Sequence, residues 1–596
     1  MKDKERSAFL VRALVIFWAF FFFAAMLAAR LFIVQIHQGA GLAANAGEEH
    51  LAQFPLSARR GDIVDRFGNV FSTSLPSSAI FAQPAGVTEP AVESKRLAAI
   101  LRMNAGALQR LLSSKTTFVY VARNVPQAVA ARIDALALPG IGTSDEPMGI
   151  RVQPQSRAAS TVVGFTGVDN QGLSGLEYRF NELLSGKPGK VIQATDAARR
   201  PIPFGRRTVQ PSQAGASLVL TIDRSLQFAA DEVLRSTVAR FHAADGSIII
   251  MRARTGEVMA LANWPDFDPN RYAASPSAAW KNQAVTDPYE PGSTFKLITA
   301  AAALDSGKVS LADTFPARDS IEVGNRIIHN ADDGLMASGH ASETLDDIVT
   351  FSHNVGAAQV ALRVGKRTMY EYIRRFDFDR ETRIDLPGES AGIVGTPDDW
   401  WGSRLATIGF GQGISVTPLA LARAYCSIAN GGLLMRPLIV RYVVAPDGHV
   451  LRRYDPQTVR RAISSQTSAA LLAMLRDVMK RGTGKGITMP GYALAGKTGT
   501  AQMVIDGAYA GGAYTASFVG IVPADKPQYV ILVKIDRPRG AYYGSIVAAP
   551  AFQTLAGTVM WREGVTPRHA DEAFGAPAAA ANTAAGEATG KPRTQP

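Results

Sequence analysis

The segment Glu290-Pro291-Gly292-Ser293-Thr294-Phe295-Lys296 puts a hydroxyl and an amine three positions apart at the head of a helix-forming stretch. Pro and Gly stand at its start and neither recurs before Leu304, which predicts a helix beginning between Pro291 and Ser293. Ser293 then lies on a first turn, where unpaired N–H groups and the positive dipole end favour any negative charge that develops. Lys296 shares its face. A hydroxyl attacks once something removes its proton, and an amine whose pKa is lowered by burial or by neighbouring cations can do so. Ser293 and Lys296 are therefore a candidate nucleophile and base, or, on the bland reading, two polar residues on a solvated helix.

Two later segments decide between these. In Phe351-Ser352-His353-Asn354-Val355-Gly356 a hydroxyl and an amide stand two apart, so an extended or turn backbone sends Ser352 and Asn354 the same way; the alternative is a helix cap at Ser352. In Ala495-Gly496-Lys497-Thr498-Gly499-Thr500, strand alternation sets Thr498 and Thr500 on one face and Lys497 on the other. Gly499 between them leaves the backbone open to an extended ligand; the alternative is a surface strand with one Lys.

The elements that must hold these residues read as an α+β domain. Asp223 caps a helix carrying Leu226 and Phe228. Ser247–Met251 and Val258–Ala262 form a hairpin of buried strands, and three antiparallel strands follow late, within 492–500, 516–522 and 529–535. Strands at both ends with helices between them predict one sheet that joins the two ends. Before this domain, from about 37 to 210, short apolar stretches alternate with Gly, Pro, Asn and Asp, which predicts a β-rich, non-catalytic pedestal. Gly68 turns a strand pair there, Glu177 stands ready to pair with Arg60 or Arg66, and a helical insertion spans 91–112 and 126–137.

At the N-terminus Lys2, Lys4, Arg6 and Arg12 precede the unbroken apolar run Ala13–Ala29, and the span extends towards Ile36 with Arg30 snorkelling. No Lys or Arg follows Arg30 before Arg59, so the positive-inside rule puts the N-terminus in the cytoplasm and the long remainder outside. A cleaved signal peptide is the competing reading, opposed by the length of the run and the lack of an Ala-x-Ala site. The expected organisation is a cytoplasmic 1–12, a transmembrane helix 13–36, a pedestal 37–210, a catalytic domain 211–565 and a disordered tail 566–596. With 63 Lys and Arg against 51 Asp and Glu the formal charge is +12, spread along the chain rather than run together, which points to an anionic surface and not to nucleic acid. The single cysteine, Cys426, excludes an internal disulfide framework and reads as a buried core residue. The eight His show no metal-binding spacing, so neither metal nor cofactor is expected.

Ser293-x-x-Lys296, Ser352-x-Asn354 and Lys497-Thr498-Gly499, in this order, resemble the motif set of penicillin-binding proteins and related serine β-lactamases. With the anchor, the segments Arg60–Gly68 and Gly172–Glu177, and the later Gly409–Gly413 and Asp536–Gly544, the chain up to about Val565 resembles class B penicillin-binding proteins, most of all the cell-division D,D-transpeptidase of the penicillin-binding protein 3 type. Two departures stand out: His353 replaces a usual Ser, and Arg151–Ser156 only partly matches the pedestal's Arg-x-Tyr-Pro-x-Gly.

The resemblance implies that Ser293 attacks the D-Ala-D-Ala amide of a peptidoglycan stem peptide, with Lys296 as base. It implies further that Ser352, held by Lys497, relays a proton to the leaving nitrogen, and that an acceptor amine from a neighbouring strand resolves the acyl-enzyme. Asn354 would contact the donor peptide, and Thr498 and Thr500, beside Gly499, its carboxylate. The N–H groups of Ser293 and Thr500 would form the oxyanion hole, and β-lactams would acylate Ser293. The implied place is the cytoplasmic membrane, spanned once, with the catalytic domain outside. The implied partners are a polytopic glycosyltransferase and other divisome proteins. Elongation or sporulation chemistry, and a β-lactam sensor or a catalytically weak or inactive divisome scaffold, are the alternatives; a glycosyltransferase domain does not fit between Ile36 and Arg59.

Overall fold

The computed structural model describes residues 2–39, 51–194, 207–324, 326–331, 341–505 and 508–568. The chain forms two compact units, Met1–Arg59 with Gly186–Ala214, and Arg60–Ser185 with Gly215–Pro596.

In the first unit the helix Lys2–Phe32 runs on through a π-helical turn, Ile33–His37. Neither Pro nor Gly interrupts it. Its 32 residues Arg6–His37 reach a mean hydropathy of 2.3 with none of that surface buried, and at about 1.5 Å per residue they exceed the roughly 30 Å hydrocarbon core. By length and composition this helix is long and apolar enough to cross a membrane once. The unit also holds an antiparallel sheet in which Gly189–Ala194 pairs with both Leu51–Leu56 and Arg207–Gln210.

The second unit opens on the expected strand pair, Ile63–Val64 with Val70–Ala82, turned at Gly68 with φ +85°. Asp65 holds the turn, accepting from the N–H of Phe67 and of Asn69, both at 2.8 Å. The sheet grows by Val119–Pro126 and Ile141–Val152, which flank Val70–Ala82 on its two edges, and by Ser217–Leu220, Val440–Val444 and Val450–Arg453 beyond Ile63–Val64. Ser217–Leu220 lies parallel to Ile63–Val64 and antiparallel to Val440–Val444, so this sheet runs across residue 210 without a break. Pro90–Leu101, Ala105–Leu112 and Gln127–Asp134 supply the expected helices and bury Leu97, Leu108 and Ile133 against Ile80.

Glu177 is the polar centre of this part. Arg60 Nε lies 2.6 Å and Arg151 Nε 2.7 Å from its two oxygens, and Ser72 donates to one of them at 2.9 Å. Burial would raise this carboxyl, yet the two guanidiniums hold it below the usual carboxylate range. Of the two predicted partners Arg60 is the one found. Arg66 reaches Glu563 instead, at 3.5 Å, because its backbone sits in the turn that packs on the C-terminal helix.

The rest of the second unit begins with α1, Arg224–Arg240, capped as predicted by Asp223, whose Oδ1 accepts from Ser225 and Leu226 at 2.8 and 3.3 Å. Then come β1, Asp245–Arg252, and β2, Val258–Trp264. The helices α2, Lys296–Asp305, α3, Leu345–Thr350, α4, Asn354–Val364, α5, Pro418–Ala429, and α6, Ser465–Arg481, follow. The chain closes with β3, Ala495–Ile505, β4, Ala508–Val522, β5, Tyr529–Asp536, and α7, Ala549–Arg562. The strands form one antiparallel sheet in the order β2-β1-β5-β4-β3, which joins both ends of the domain as the sequence implies.

Alternate residues of the sheet serve two cores. Ile248, Ile250, Ile531 and Val533 meet α1 and α7, while Ile249, Met251, Val530 and Leu532 meet the α2, α4, α5 and α6 side. Both faces are covered, which is why these strands read as unbroken apolar runs. Every residue of α5 is buried, Cys426 included, and burial pushes its thiol far up, so it is a core residue and not a reactive one. The fold is the expected α+β arrangement. The tail expected from residue 566 lies, from 569 on, outside the described residues.

Candidate active site

Ser293 sits where α2 abuts β3. The predicted α-helical start is corrected in one respect: Gly292–Phe295 form a 3-10 turn and the α-helix proper begins at Lys296. The tighter turn follows from Gly292, which has φ +55° and packs on Gly411; a Cβ at Gly411 would stand 2.2 Å from the Gly292 carbonyl oxygen. Gly292 N–H donates to the Gly411 carbonyl at 3.0 Å, and the Glu290 carboxylate accepts from Gly413 N–H at 2.8 Å. Thr294, buried, closes the turn by donating to the Pro291 carbonyl at 2.7 Å.

Lys296 points into the gap between α3 and α4 and is 1% exposed. Its Nζ donates to Asn354 Oδ1 at 2.8 Å, to Ser352 Oγ at 3.2 Å and to the Ser352 carbonyl. Burial, then the neighbouring Lys497 charge, drive its pKa well below the ordinary lysine value against the opposing pull of Glu343. Among the described residues no hydrogen bond links Lys296 to Ser293; such contacts are often long before substrate arrives.

Ser352 and Asn354 converge as predicted, but through a turn and not an extended backbone. Ser352 has φ +65°, in the left-handed region that non-glycine residues seldom occupy, and His353, not Ser352, is the N-cap of α4. The bend between α3 and α4 thus aims Ser352 Oγ between two lysines, for Lys497 Nζ donates to it at 2.8 Å. Lys497 is fully buried, and that burial lowers its pKa to about 7.

Thr498 and Thr500 share one face of β3 and line a cleft with Ser293, Ser352, His353 and Asn354. Thr498 Oγ1 lies 2.9 Å from Thr483 Oγ1, and Thr500 Oγ1 accepts from Gly544 N–H at 3.2 Å. A second concavity on the other side of Ser293, lined by Arg326, His329, Phe410 and Gln412, continues the cleft. Gly499 differs from expectation. A Cβ there would meet Ser517 Oγ at 2.3 Å and Thr294 Cγ2 at 2.9 Å, so its missing side chain makes room for the Ser293 turn. Sequence reasoning missed Glu343, Thr483 and Tyr425, whose contacts with His353, Thr498 and Thr294 depend on turns and packing that no local period shows; only the capping box of Thr344 with Asp347 marks the Glu343 neighbourhood as an ordered helix entry.

Residues 246–557 match the family described as the penicillin binding protein transpeptidase domain, and residues 55–220 match the penicillin-binding protein dimerisation domain. The chain is 34% identical to the peptidoglycan D,D-transpeptidase FtsI of Escherichia coli over 525 residues, 86% of this chain and 85% of that one.

The chain is a class B penicillin-binding protein.

Stage V sporulation protein D of Bacillus subtilis is 35% identical to this penicillin-binding protein over 547 residues, 90% of this chain and 84% of that one. The crystal structure of penicillin-binding protein 3 from Mycobacterium tuberculosis in complex with aztreonam aligns at a TM-score of 0.66 and 30% identity, covering 86% of this chain and 99% of that one. As a class B penicillin-binding protein it is a peptidoglycan D,D-transpeptidase, and its mixed fold, with dimerisation and transpeptidase domains, is that of the class.

Proposed function

We propose that this transpeptidase works through an acyl-enzyme on Ser293 and serves septal wall synthesis. The observation that carries the chemical part is the convergence of Lys296 and Lys497 on one hydroxyl, Ser352 Oγ, at 3.2 and 2.8 Å. Two lysines this close, both buried and both with lowered pKa, supply neutral amine for proton transfer at neutral pH. Lys296 takes the Ser293 proton as Oγ attacks the D-Ala-D-Ala carbonyl. Ser352, poised by Lys497, hands a proton to the departing D-Ala nitrogen. Asn354 orients the donor peptide, and Thr498 and Thr500 bind its terminal carboxylate. Gly499 lets β3 lie against the nucleophile turn, so that the N–H groups of Ser293 and Thr500 face the developing oxyanion; one such donor is worth about 3 kcal/mol of barrier. An acceptor amine then releases the ester as a cross-link. β-Lactams acylate the same oxygen.

The charge pattern around the anchor supports an N-terminus in the cytoplasm and a catalytic domain on the outer face of the membrane. The likeness to FtsI supports a septal role beside a polytopic glycosyltransferase and other division proteins, and the likeness to stage V sporulation protein D supports the same chemistry in a sporulating cell. The site of a fluorescent fusion in dividing cells separates the two. The acyl-enzyme is tested by labelling the full-length chain with a fluorescent penicillin: the label is expected on Ser293 and absent from Ser293→Ala, and full labelling of that variant would place the nucleophile elsewhere.

A further inference from the structure

The hairpin of Ser320–Val323 with Arg326–His329 turns at Gly324, φ +64°, and is tied to the start of α4 at two points. Asn354 Nδ2 donates to the His329 carbonyl and the N–H of Val355 donates to Asn330 Oδ1, both at 3.0 Å. Arg326, exposed on this hairpin, is thereby carried beside Ser293, and both residues line the concavity of about 410 Å³ that continues the cleft.

The guanidinium is held from a second direction. It lies over the Tyr509 ring, 5.6 Å from the ring centre. Tyr509, on β4, donates to the Glu290 carboxylate at 3.2 Å, and Glu290, which opens the segment carrying Ser293, accepts from Gly413 N–H at 2.8 Å. Arg326 is thus braced against the frame that displays Ser293, whereas a merely solvated arginine would swing free. Among the described residues no salt bridge engages it, and it is the one side chain of permanent charge on the wall of the concavity, beside His329, Asn354, Phe410, Gln412 and Gln502.

In the acyl-enzyme reading above, Thr498 and Thr500 take the donor's terminal carboxylate and Asn354 orients its peptide part. That peptide part leaves Ser293 on the side away from the carboxylate, along the concavity. An extended peptide advances about 3.3 Å per residue, so the residue just before D-Ala-D-Ala is the first whose side chain enters there. A guanidinium recognises a carboxylate through paired N–H donors. We infer that Arg326 binds a carboxylate at the end of that side chain, so the preferred donor is a stem peptide whose residue before D-Ala-D-Ala is acidic at its side-chain end. The inference rests on the acyl-enzyme reading. Arg326 is then a specificity-determining residue, with Tyr509 and Glu290 its positioning residues. An ammonium in the same place is repelled, and a neutral amide offers the guanidinium one oxygen instead of two.

The test uses the full-length chain in detergent and low-salt buffer, with three penicillins made by acylating 6-aminopenicillanic acid, whose side chain stands for the residue before D-Ala-D-Ala. The side chains are pimelyl with its far carboxylate free, the same chain ending in the amide, and 6-aminohexanoyl ending in ammonium. Second-order acylation rates are read by competition with a fluorescent penicillin. The wild type is expected to favour the carboxylate over the amide by about tenfold, the worth of a hydrogen-bonded charge, and the ammonium least. In Arg326→Gln the carboxylate-to-amide ratio is expected to fall close to one, and Arg326→Glu is expected to reverse the order of carboxylate and ammonium. Tyr509→Leu, which removes the ring beneath the guanidinium, is expected to lose part of the preference. A wild type that takes the amide as fast as the carboxylate, or a preference that survives in Arg326→Gln, would overturn the inference. A wild type that no penicillin acylates, the fluorescent one included, would instead defeat the Ser293 reading.

Discussion

The phenol of Tyr425 donates to the backbone carbonyl of Thr294 at 2.8 Å. One residue belongs to the helix buried on every side, the other follows Ser293, so the largest core of the domain reaches up and holds the turn on which Ser293 is displayed. Tyr425→Phe removes that bond and little else. A single intramolecular hydrogen bond contributes about 1 kcal/mol net, and the urea midpoint is expected to fall accordingly. Penicillin acylation is expected to slow several-fold, because the turn loses its anchor from below. A variant with wild-type midpoint and wild-type acylation would show that the turn is held by Gly292 and Gly411 alone.

The lysines make stability depend on pH in a stated direction. Burial lowers Lys497 to about 7, whereas the unfolded chain binds that proton up to about pH 10.4. Between these values the unfolded state carries the extra proton, so folding gains stability as pH rises, by at most about 1.4 kcal/mol per unit. Below about pH 7 both states are protonated and the full cost of a buried ammonium is present. Lys296, shifted the same way by burial and by Lys497, adds to the trend. The stability of the wild type relative to Lys497→Met is therefore expected to rise from pH 7 to 10, read as the difference between urea midpoints. A flat or falling difference would mean that Lys497 is protonated in the folded protein throughout that range.

Much of the site was legible because each motif is local. The Pro-Gly start before Ser293, the two-residue step from Ser352 to Asn354 and the alternation of Lys497 and Thr498 fix directions within a few residues of chain. What stayed hidden depends on turns and on the meeting of separate elements. Glu343 and His353 are ten positions apart, yet their contact rests on the left-handed turn at Ser352 and on the space at Gly356, neither of which a period of 2 or 3.6 encodes. Arg60 was named as a partner of Glu177, but Arg151 joins it from a strand whose sequence pattern carried no sign of the contact. The central sheet was readable as unbroken apolar runs; the continuity of the separate seven-stranded sheet past residue 210 was not, since a two-residue strand such as Ile63–Val64 is too short to show a period.

Gly499 separates two explanations that the sequence joined. If the residue were open to ligand, alanine there would obstruct only substrate. The contacts say otherwise: the Cβ would press on Ser517 Oγ and on the methyl of Thr294, next to Ser293. Gly499→Ala is therefore expected to lower acylation by small β-lactams and by peptide donors alike, by about tenfold or more, with a stability loss of about 1–3 kcal/mol from overpacking. Loss confined to the longer peptide donors would restore the ligand explanation.

The anchor poses the last question, whether it holds the enzyme at the membrane or also recruits it. Phe20, Phe21, Phe22 and Phe23 are between 56% and 77% exposed and, being consecutive, surround the helix, so some face lipid whatever else they touch. Phe17, Trp18 and Phe21 stack edge to face along one side, a rigid aromatic ridge of the kind a neighbouring helix could pack against. Ala13–Ala29 exchanged for an unrelated apolar helix keeps the insertion energy and removes that ridge. A recruiting anchor predicts that the exchanged protein stays in the membrane and still takes up fluorescent penicillin, yet is lost from the septum. If septal localisation and division survive the exchange, the helix only anchors. Recruitment then falls to the soluble part, where the surface around Arg66 and Phe67, beside the buried Arg60–Glu177 pair, is the next to alter.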